Sequence, residues 1–388
     1  MNDRFINFIP HFWLFVSACL ALVAPQAYSM QSEPLSTRIT KVMEDFTSAA
    51  NFHGSVLVAD RQGKVIFEAA YGLANDAAKV PFLVDTAVDI GSNSKAYAAV
   101  AVLTLVRDGH LSLDHRLPQY FPDVPADKSE ITIHQLLTHS SGLPDEYDRS
   151  YETTTREIME KSILAQPLLF KPGQDFSYSD MGYALLHALI ERVSGLAYQK
   201  YVERFVFTPY GLTNTGFLES PMWDFNGGNA PVARGYTNGE ERDSPITLPK
   251  DTWMPIGGGT ILSTVKDGVK WHSGLVAGRV LGNDLSAMIF SRHREIRKHK
   301  SWYGYGWGIV NSPTRGTVYA HSGATASHNY YSQFLADHGL FVITASNRID
   351  GSYDDKNQNG SIEDDEIINE TIYAIDIGIA LAKALSAK

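Results

Sequence analysis

Apolar residues near both ends of the chain alternate with turn residues in the pattern of β-strands. Residues 55–59 and 65–67 are apolar runs separated by a turn at 61–63, which predicts a β-hairpin. Four more strands are predicted near the other end of the chain, at residues 305–310, 317–321, 330–335 and 340–344. A turn at 337–339 joins the last two of these strands into a second hairpin.

Elsewhere the apolar positions recur at helical spacing. Residues 96–106 form one long apolar helix, and two further stripes recur every three to four residues. These stripes are Leu185, Leu186, Leu189, Ile190 and Val193, and Ile368, Ile372, Ile375 and Ile379. The pattern predicts an α+β fold, in which helices flank an antiparallel sheet built from both chain ends. We expect a sheet lobe of residues 36–115 plus 300–388 and an inserted, mainly helical lobe of residues 116–299.

Composition and charge exclude several classes of function. The chain has 388 residues, of which 44% are hydrophobic and 20% charged, as in a folded globular protein. Its formal net charge of −10 disfavours nucleic acid as a partner, because phosphate binding requires a surplus of Lys and Arg. The single cysteine, Cys19, excludes a disulfide framework and a cysteine nucleophile in the body of the protein. The chemistry is therefore expected to come from oxygen and nitrogen groups.

The first residues have the features of an export signal. An apolar stretch at 12–23 is followed by Ala27 and Ser29, the small residues that a signal peptidase recognises. Residues 1–29 are therefore expected to be a signal peptide, and the mature protein to be periplasmic or secreted. Lipid attachment at Cys19 is a less favoured alternative, because the apolar run continues beyond it. No stable membrane span is expected, because the run is shorter than the about 20 residues that a bilayer requires.

A Ser-x-x-Lys motif lies at the start of the predicted helix 96–106. The spacing of Ser92 and Lys95 at a helix start places the hydroxyl and the amine on one face. Burial makes a lysine lose its proton more readily, so that its amine can activate a serine nucleophile. The alternative is that Ser92 only caps the helix.

The same motif recurs at Ser263 and Lys266. There Thr264 stands three residues before Asp267, which is the spacing of a helix cap. This second copy is therefore interpreted as a helix start without catalytic function.

A tyrosine is the second candidate for the site. Tyr178 follows a turn at Pro172 and Gly173 and precedes a helix that begins near Asp180. A phenol at this junction can face a cleft, and a nearby lysine ammonium would lower its pKa from about 10, which suits a proton shuttle. The alternative is a tyrosine that covers the end of the helix.

The third candidate is a run of small residues on a predicted strand. His321, Ser322, Gly323 and Ala324 follow one another there. Small side chains would let a substrate lie along the strand. The N–H of Ala324 is expected to join that of Ser92 as an oxyanion hole.

These three motifs, in this order, resemble the serine β-lactamase and penicillin-binding protein superfamily. The resemblance is to its branch of class C β-lactamases, D-Ala-D-Ala carboxypeptidases and family VIII esterases. Supporting segments lie at residues 133–143, 257–259 and 305–308. The similarity spans roughly residues 36–350.

The resemblance implies a β-lactamase/transpeptidase-like fold and a reaction through a Ser92 acyl-enzyme. It makes Lys95 and Tyr178 the base and acid partners, and His321 a substrate-carboxylate or proton-shuttle group. The implied substrate is a D-alanyl peptide of peptidoglycan or a β-lactam-like amide, with no cofactor for catalysis. A family VIII-type carboxylesterase is one alternative. The other is a non-turnover penicillin-binding or sensing protein, which acylates and then stalls.

Two positions depart from the family pattern. Asp180 stands where the second motif usually has Asn, and an ionised carboxylate only accepts hydrogen bonds, which weighs against efficient β-lactam hydrolysis. His321 stands where class C β-lactamases carry Lys, so attraction of a substrate carboxylate is expected to be weaker and pH-dependent. Turnover of carboxylate substrates is therefore expected to be more acid-sensitive than turnover of neutral esters. The expected substrate-binding residues are Asp180, Ser322, Gly323 and Ala324.

Two rival types of hydrolase lack their motifs in this sequence. No Gly-x-Ser-x-Gly is present, which weighs against an α/β-hydrolase. No His-Glu-x-x-His is present, which weighs against a metal hydrolase. The basic stretch 292–300 is interpreted as a solvated face.

An acidic loop at residues 355–366 matches the twelve-residue calcium pattern. Its expected metal ligands are Asp355, Asn357, Asn359, the carbonyl of Ser361, and Glu366. The pattern lacks the entering helix of an EF-hand, so the loop is expected to hold a structural calcium ion or to be a plain acidic turn. A melting temperature that calcium leaves unchanged would contradict the calcium site.

Overall fold

An antiparallel sheet lies at the centre of the fold in the computed structural model. The structure describes residues 34–49, 52–145, 155–218, 220–223, 231–242, 261–296, 301–349 and 373–386. Its strands, in chain order, are β1 (Gly54–Asp60), β2 (Val65–Tyr71), β3 (Leu73–Asn75), β4 (Val80–Pro81), β5 (Val88–Asp89), β6 (Gly216–Phe217), β7 (Tyr236–Thr237), β8 (Glu240–Glu241), β9 (Ile261–Ser263), β10 (Arg294–Ile296), β11 (Ser301–Tyr303), β12 (Gly308–Ser312), β13 (Gly316–Ala324), β14 (Asn329–Leu335), β15 (Leu340–Ser346) and β16 (Arg348–Ile349).

The main sheet joins the two ends of the chain. Its eight strands lie in the order β10-β11-β12-β13-β14-β15-β1-β2, each antiparallel to its neighbour. The closing pair is β1 with β15, in register from Gly54 opposite Ser346 to Asp60 opposite Leu340. The predicted α+β class, with an antiparallel sheet built from both chain ends, is therefore confirmed.

The helices pack around this sheet. In chain order they are α1 (Leu35–Ala49), α2 (Ser94–Arg107), α3 (Ile133–Leu137), α4 (Arg156–Ala165), α5 (Asp180–Ser194), α6 (Tyr198–Val202), α7 (Thr208–Tyr210), α8 (Val265–Val276), α9 (Gly282–Ile289) and α10 (Tyr373–Ser386). Short 3₁₀ turns lie at Gly91–Asn93, Leu117–Gln119 and Ala126–Lys128, and a π-helical turn at Glu203–Phe207.

Strand β1 shows that both faces of the sheet are covered. Successive side chains of a strand point to opposite faces. Leu57 and Ala59 accordingly enter one apolar core, and Val56 and Val58 enter the other. Helix α8 packs on the first face against β1 and β15, while α1 and α10 cover the second face.

Helix α2 runs through the larger core. Every residue from Ser94 to Leu105 is buried, and the helix packs against α5 and α6. A helix without a polar face belongs in an interior, where its neighbours fix its position. The start of α2, which carries Lys95, is therefore held by packing on all sides.

One predicted strand is displaced along the chain. The expectation was a strand over 305–310, but β11 ends at Tyr303 and β12 begins at Gly308. Between them Gly306 adopts a φ of +77°, and a Cβ added there would lie 2.7 Å from the Cα of Ala96. A turn that must approach α2 this closely requires glycine, so it interrupts the apolar run.

Several expectations lie outside the described residues. They include the signal peptide at 1–29 with Cys19, and Ile368 and Ile372 of the terminal stripe. Residues Leu35–Ala387 form one compact unit, and the lobe boundaries stay a prediction. No helix in the described ranges is long and apolar enough to span a bilayer.

Candidate active site

Ser92 lies in the 3₁₀ turn that leads from β5 into α2. Gly91 has a φ of +49°, and its N–H donates to a carboxylate oxygen of the buried Asp89 at 2.8 Å. Helix α2 begins at Ser94, and its N-cap residue, Asn93, makes no side-chain capping bond. Ser92 is thus not the cap of α2, and the capping alternative for it is wrong.

Asn93 fixes this turn to the sheet. Its side-chain amide donates to the carbonyls of His321 at 3.1 Å and Tyr330 at 3.2 Å. Its Oδ1 accepts from the hydroxyl of Ser332 at 2.6 Å. Asn93, the residue after the motif serine, therefore ties the Ser92 turn to β13 and β14. A lone Asn in a turn carries no distinctive sequence pattern, so this role of Asn93 becomes visible only in the structure.

Replacing Asn93 with alanine is expected to lower both stability and acylation. Two buried carbonyls and one hydroxyl lose a partner, which costs about 1–3 kcal/mol for each group left unsatisfied. The freed turn also lets Ser92 move relative to β13. Urea unfolding and the rate of Ser92 acylation measure the two effects. Ser332→Ala, which removes one bond only, is the matched control, and an Asn93→Ala protein that acylates at the wild-type rate contradicts the positioning role.

Lys95 is fully buried, and its amine contacts Ser92, Asp180 and Tyr178. Its Nζ donates to Ser92 Oγ at 3.0 Å and pairs with Asp180 Oδ1 at 2.6 Å. The ammonium also lies 4.8 Å from the centre of the Tyr178 ring. The amine therefore lies beside the hydroxyl, as the spacing of the motif predicts.

The charge state of Lys95 differs from the expectation. Burial lowers the pKa of Lys95, but the charge and hydrogen bond of Asp180, with a further contribution from Tyr178, outweigh it and raise the pKa above its usual value. The expected release of the proton by burial is therefore wrong. In the resting site Lys95 is an ammonium held by a carboxylate.

Tyr178 also differs from its expected protonation. Its hydroxyl is buried, and burial raises the pKa of Tyr178 to about 12, although Lys95 and Ser92 both act to lower it. The expected fall below 10 is wrong, because desolvation of a phenolate exceeds the attraction of one ammonium. At neutral pH the group is a phenol that can donate a proton. Its place beside Lys95 also argues against the alternative of a mere helix cover.

Asp180 is the first residue of α5. Ser179 caps this helix, since its Oγ accepts from the N–H of Gly182 at 3.0 Å. The N–H of Asp180 donates to a carboxylate oxygen of Asp145 at 2.9 Å. The side chain is 27% exposed, so the carboxylate that holds Lys95 also reaches the surface of the site.

His321 is held as a neutral imidazole. Its Nδ1 lies 2.6 Å from the carbonyl of Ser322, which only accepts, so this nitrogen carries the proton. Its Nε2 therefore accepts from the hydroxyl of Tyr303 at 3.0 Å. Burial and then the charge of Lys95 lower the pKa of His321 to about 4. A cationic His321 that attracts a substrate carboxylate near neutral pH is therefore not what the structure shows.

The expected difference in acid sensitivity between substrate types changes accordingly. Because His321 has a pKa of about 4, it stays neutral well below the usual histidine value of about 6.5. The ratio of kcat/KM for a carboxylate substrate to that for a neutral ester is expected to show no step between about pH 5.5 and 8. His321→Gln is the control and should leave that ratio equally flat. A step near pH 6.5 that this variant removes would show that His321 titrates as an ordinary histidine.

The end of β13 lies directly against the Ser92 turn. A Cβ added to Gly323 would overlap the carbonyl oxygen of Ile90 and lie 3.0 Å from the backbone nitrogen of Ser92. One added to Gly91 would lie 2.9 Å from the nitrogen of Ala324. Glycine is therefore required at both positions for the backbones to meet. The oxyanion hole at Ser92 and Ala324, and substrate contacts of Ser322, stay predictions.

Two further aromatic residues, Tyr303 and His139, belong to the site, and the sequence alone does not indicate them. The hydroxyl of Tyr303 bonds to His321, and the His139 ring lies beside that of Tyr178, tilted by 32° with ring centres 4.2 Å apart. His139 Nδ1 accepts from the N–H of Ser179 at 3.0 Å, which orients the loop that carries Tyr178. Burial and the charge of Lys95 lower the pKa of His139 well below its usual value. His139 lies within the supporting segment 133–143, but nothing in the spacing of that segment indicates its contact with Tyr178, and Tyr303 lies in no such segment.

In the second Ser-x-x-Lys copy, the serine and the lysine each contact other residues instead of one another. The hydroxyl of Ser263 lies 2.8 Å from that of Thr215, and Lys266 pairs with Asp85 at 2.9 Å. Thr264 caps α8 by accepting from the N–H of Asp267 at 3.1 Å. Its interpretation as a helix start is confirmed.

The basic stretch 292–300 is not simply a solvated face. His293 stacks on Tyr305 with ring centres 4.1 Å apart, and its ring nitrogen bonds to the carbonyl of Met288 at 2.7 Å. Arg294 donates to the carbonyl of Gly173 at 2.9 Å, which ties β10 to the loop before Tyr178. The expectation is wrong for His293 and Arg294, while residues 297–300 lie outside the described ranges.

The calcium prediction cannot be placed in the fold. Residues 355–366 and the supporting segment 257–259 lie outside the described residues. Within the described part of the chain, no group of three or more His, Cys, Asp or Glu side chains could hold a metal ion. The calcium site stays a prediction.

A serine in contact with a buried lysine at the start of a core helix, beside an antiparallel sheet, is an arrangement typical of serine hydrolases. The chain belongs to the beta-lactamase family, whose family model matches residues 39–364. It is 26% identical over 314 residues to penicillin-binding protein 4* of Bacillus subtilis, covering 76% of this chain and 68% of that protein. It is 30% identical over 220 residues to esterase EstB of Burkholderia gladioli, covering 52% of this chain and 56% of that protein.

A solved structure shows the same fold. The penicillin-binding protein from Bacillus halodurans aligns with a TM-score of 0.68 and 27% identity, over 81% of this chain and 95% of that one. The recognition of the superfamily from three ordered motifs is confirmed. The chain is thus a hydrolase of the serine β-lactamase and penicillin-binding protein superfamily, with relatives that include penicillin-binding proteins and an esterase.

Proposed function

We propose that this protein is a serine hydrolase that works through a Ser92 acyl-enzyme on D-alanyl peptides or β-lactam-like amides. The observation that carries the proposal is the 3.0 Å contact between Lys95 Nζ and Ser92 Oγ in a buried site. Tyr178 also interacts with the Ser92 hydroxyl, but burial raises its pKa to about 12, so it is a phenol that donates a proton rather than a base. The contact supports nucleophilic catalysis with an amine as the base.

Acylation follows from the protonation states of the site. Lys95 must first lose one proton to solvent, because its ammonium cannot accept one. The neutral amine then takes the proton of Ser92 while Oγ forms a bond to the substrate carbonyl carbon, and the π-electron pair moves to the carbonyl oxygen. When the tetrahedral intermediate collapses, the bond to the leaving group breaks and Tyr178 supplies the proton that the leaving group needs. The lysine ammonium reprotonates the phenolate.

Hydrolysis of the acyl-enzyme repeats the sequence with water as the nucleophile. The lifetime of the acyl-enzyme separates a hydrolase from the alternative of a penicillin-binding or sensing protein that acylates and stalls. Both alternatives need the same Ser92 chemistry, so they differ only in the second half of the reaction.

A carboxylesterase is the second candidate, and the neutral His321 favours it. A D-Ala-D-Ala peptide and a penicillin both carry a carboxylate near the scissile amide, whereas His321 lacks the charge to attract one. Esters also have a better leaving group, so they demand less of Asp180. The 30% identity to an esterase supports the same candidate.

The proposal also covers the location of the protein in the cell envelope or outside the cell. We propose that the protein is exported, so that it is periplasmic or secreted, with small-molecule or peptidoglycan-peptide substrates. The supporting observation is the pattern of residues 1–29.

The loop 355–366 is proposed to hold a structural calcium ion, and a rise of melting temperature with calcium tests this.

One experiment separates the candidates. Purified protein is incubated with a fluorescent penicillin, a D-Ala-D-Ala peptide or a short-chain nitrophenyl ester, with intact mass and product followed together. Turnover of the peptide or the penicillin supports the first candidate, and turnover of the ester alone supports the second. A stable mass adduct without turnover identifies a sensor. No adduct and no turnover with any of the three contradicts the Ser92 acyl-enzyme.

A further inference from the structure

His139 is a buried residue with a left-handed backbone, since its φ is +54°. The other described non-glycine residues with a positive φ are exposed, namely Lys79, Asp123 and Asn238. His139 follows the end of α3, and the N–H of Ser140 donates across it to the carbonyl of Gln135 at 2.9 Å. This bond closes a helix end at a left-handed residue, where glycine or asparagine usually stands. A histidine there carries a backbone cost, and such costs are concentrated at functional sites.

Two hydrogen bonds join His139 to the backbone on either side of Tyr178. The carbonyl of His139 accepts from the N–H of Ser177 at 2.9 Å, and its Nδ1 accepts from the N–H of Ser179 at 3.0 Å. The imidazole ring lies beside the phenol between these two bonds. One residue, through its main chain and its side chain, therefore fixes the position of Tyr178 from both directions along the chain.

The ring of His139 is a neutral acceptor in this arrangement. Because Nδ1 accepts from a backbone N–H, the ring proton is on Nε2, which has no hydrogen-bond partner among the described residues. Burial, followed by the charges of Lys95 and His321, lowers the pKa of His139 well below its usual value. A protonated ring would place an N–H against the N–H of Ser179, so protonation would break the bond. The ring therefore serves as a fixed acceptor for the loop that carries Tyr178.

We propose that His139 is the positioning residue for Tyr178, which it holds where the phenol protonates the leaving group. In that step the bond from the carbonyl carbon to the leaving atom breaks, the electron pair stays on the leaving atom, and Tyr178 gives that atom a proton. A leaving group that is stable as an anion needs no proton, so only substrates with poor leaving groups depend on His139. The inference rests on the proposed Ser92 acyl-enzyme and specifies the step that His139 supports.

The test compares two esters of one acid that differ in their leaving group. Nitrophenyl butyrate releases a stabilised nitrophenolate, whereas ethyl butyrate releases an alcohol that has to be protonated. His139→Gly removes the Nδ1 acceptor and keeps the turn, because glycine readily adopts a positive φ. This variant is expected to lower kcat/KM for the ethyl ester by about 10- to 100-fold, and that for the nitrophenyl ester by less than about threefold.

A double variant separates positioning from general packing. Tyr178→Phe removes the proton donor, so adding His139→Gly to it is expected to lower the ethyl ester reaction by no more than about twofold further. Two independent losses would multiply instead. As a control, His272→Ala removes another buried histidine, whose ring packs against Trp307 and Phe341. The control is expected to lose stability and to leave the ratio of kcat/KM between the two esters unchanged.

His139→Asn provides a second measurement if His139→Gly does not fold. Asparagine tolerates the left-handed backbone, and its short side chain offers an oxygen acceptor in place of Nδ1. The variant is expected to keep the ratio of kcat/KM between the two esters within about threefold of the wild-type value. A ratio that falls as far as in Tyr178→Phe would show that the acceptor does not position the phenol.

The outcomes distinguish failure of this inference from failure of the proposed function. Equal losses with both esters in His139→Gly overturn the inference, as does a loss that multiplies with that of Tyr178→Phe. If Tyr178→Phe reacts with both esters at the wild-type rate, Tyr178 is not the proton donor and the inference is wrong with it. In each of these cases a butyryl mass on Ser92 still supports the acyl-enzyme. If neither ester acylates Ser92 in the wild-type protein, the proposed function itself is wrong.

Discussion

Replacing Ser92 with alanine is expected to abolish the acyl-enzyme and to lower turnover at least about 10⁴-fold, because the residual rate of such variants comes from binding and oxyanion contacts alone. The Ser92 side chain is partly exposed and its hydroxyl accepts a hydrogen bond from Lys95, so folding should be preserved. Intact mass after incubation with a reactive ester measures the first effect, and steady-state kinetics measures the second.

Ser263→Ala provides a matched control for this prediction. Ser263 opens the second Ser-x-x-Lys copy, but its hydroxyl lies beside Thr215 and belongs to a helix start. The control should acylate and turn over substrate at the wild-type rate, while losing about 1 kcal/mol of stability with its buried hydrogen bond. A Ser92→Ala protein that still gains the acyl mass would show that another residue is the nucleophile.

The location of the site could be predicted because its motifs are local. Ser92 and Lys95 share one helical turn, and Tyr178 lies just before a helix with a clear apolar stripe. The residues around His321 have a pattern that is typical of a β-strand. Each of these patterns depends on residues within a few positions of one another, which a sequence displays directly.

The protonation states could not be predicted, because they depend on residues that are distant in sequence. The Lys95 pKa follows from Asp180, which comes from a separate helix. The His321 pKa follows from burial and from Lys95, and its tautomer from its own strand and Tyr303. Spacing indicates that two groups are near one another. It does not show whether burial or a partner's charge dominates.

The positioning residues escaped prediction for the same reason. Asn93 matters because three groups from β13 and β14 converge on it, and His139 because a backbone N–H and aromatic rings surround it. From the sequence, Gly323 is only one of several small residues. The structure shows that a Cβ at this position would overlap the carbonyl oxygen of Ile90. Tertiary contacts therefore determine how firmly the three motifs are held together, while the motifs determine where the site lies.

Lys95→Met is expected to lower acylation by about 10²- to 10⁴-fold, the range that general-base catalysis supplies. Methionine has nearly the same length and suits a fully buried position, so the loss reflects the missing amine rather than a cavity. The variant leaves Asp180 without its ammonium, but that side chain is 27% exposed and can be hydrated. Its stability is therefore expected to change by less than about 2 kcal/mol in either direction.

Lys266→Met is the matched control, since it removes the lysine of the other Ser-x-x-Lys copy, which pairs with Asp85 near the surface. It should leave both acylation and stability close to wild type. A second variant, Lys95→Ala, opens a space at the amine position, and added short alkylamines are expected to restore part of its acylation rate. Restoration that increases with the neutral fraction of the added amine indicates that a base is missing. If Lys95→Met lowers stability by several kcal/mol and acylates normally, the buried ammonium only holds α2 to Asp180 and another group activates Ser92.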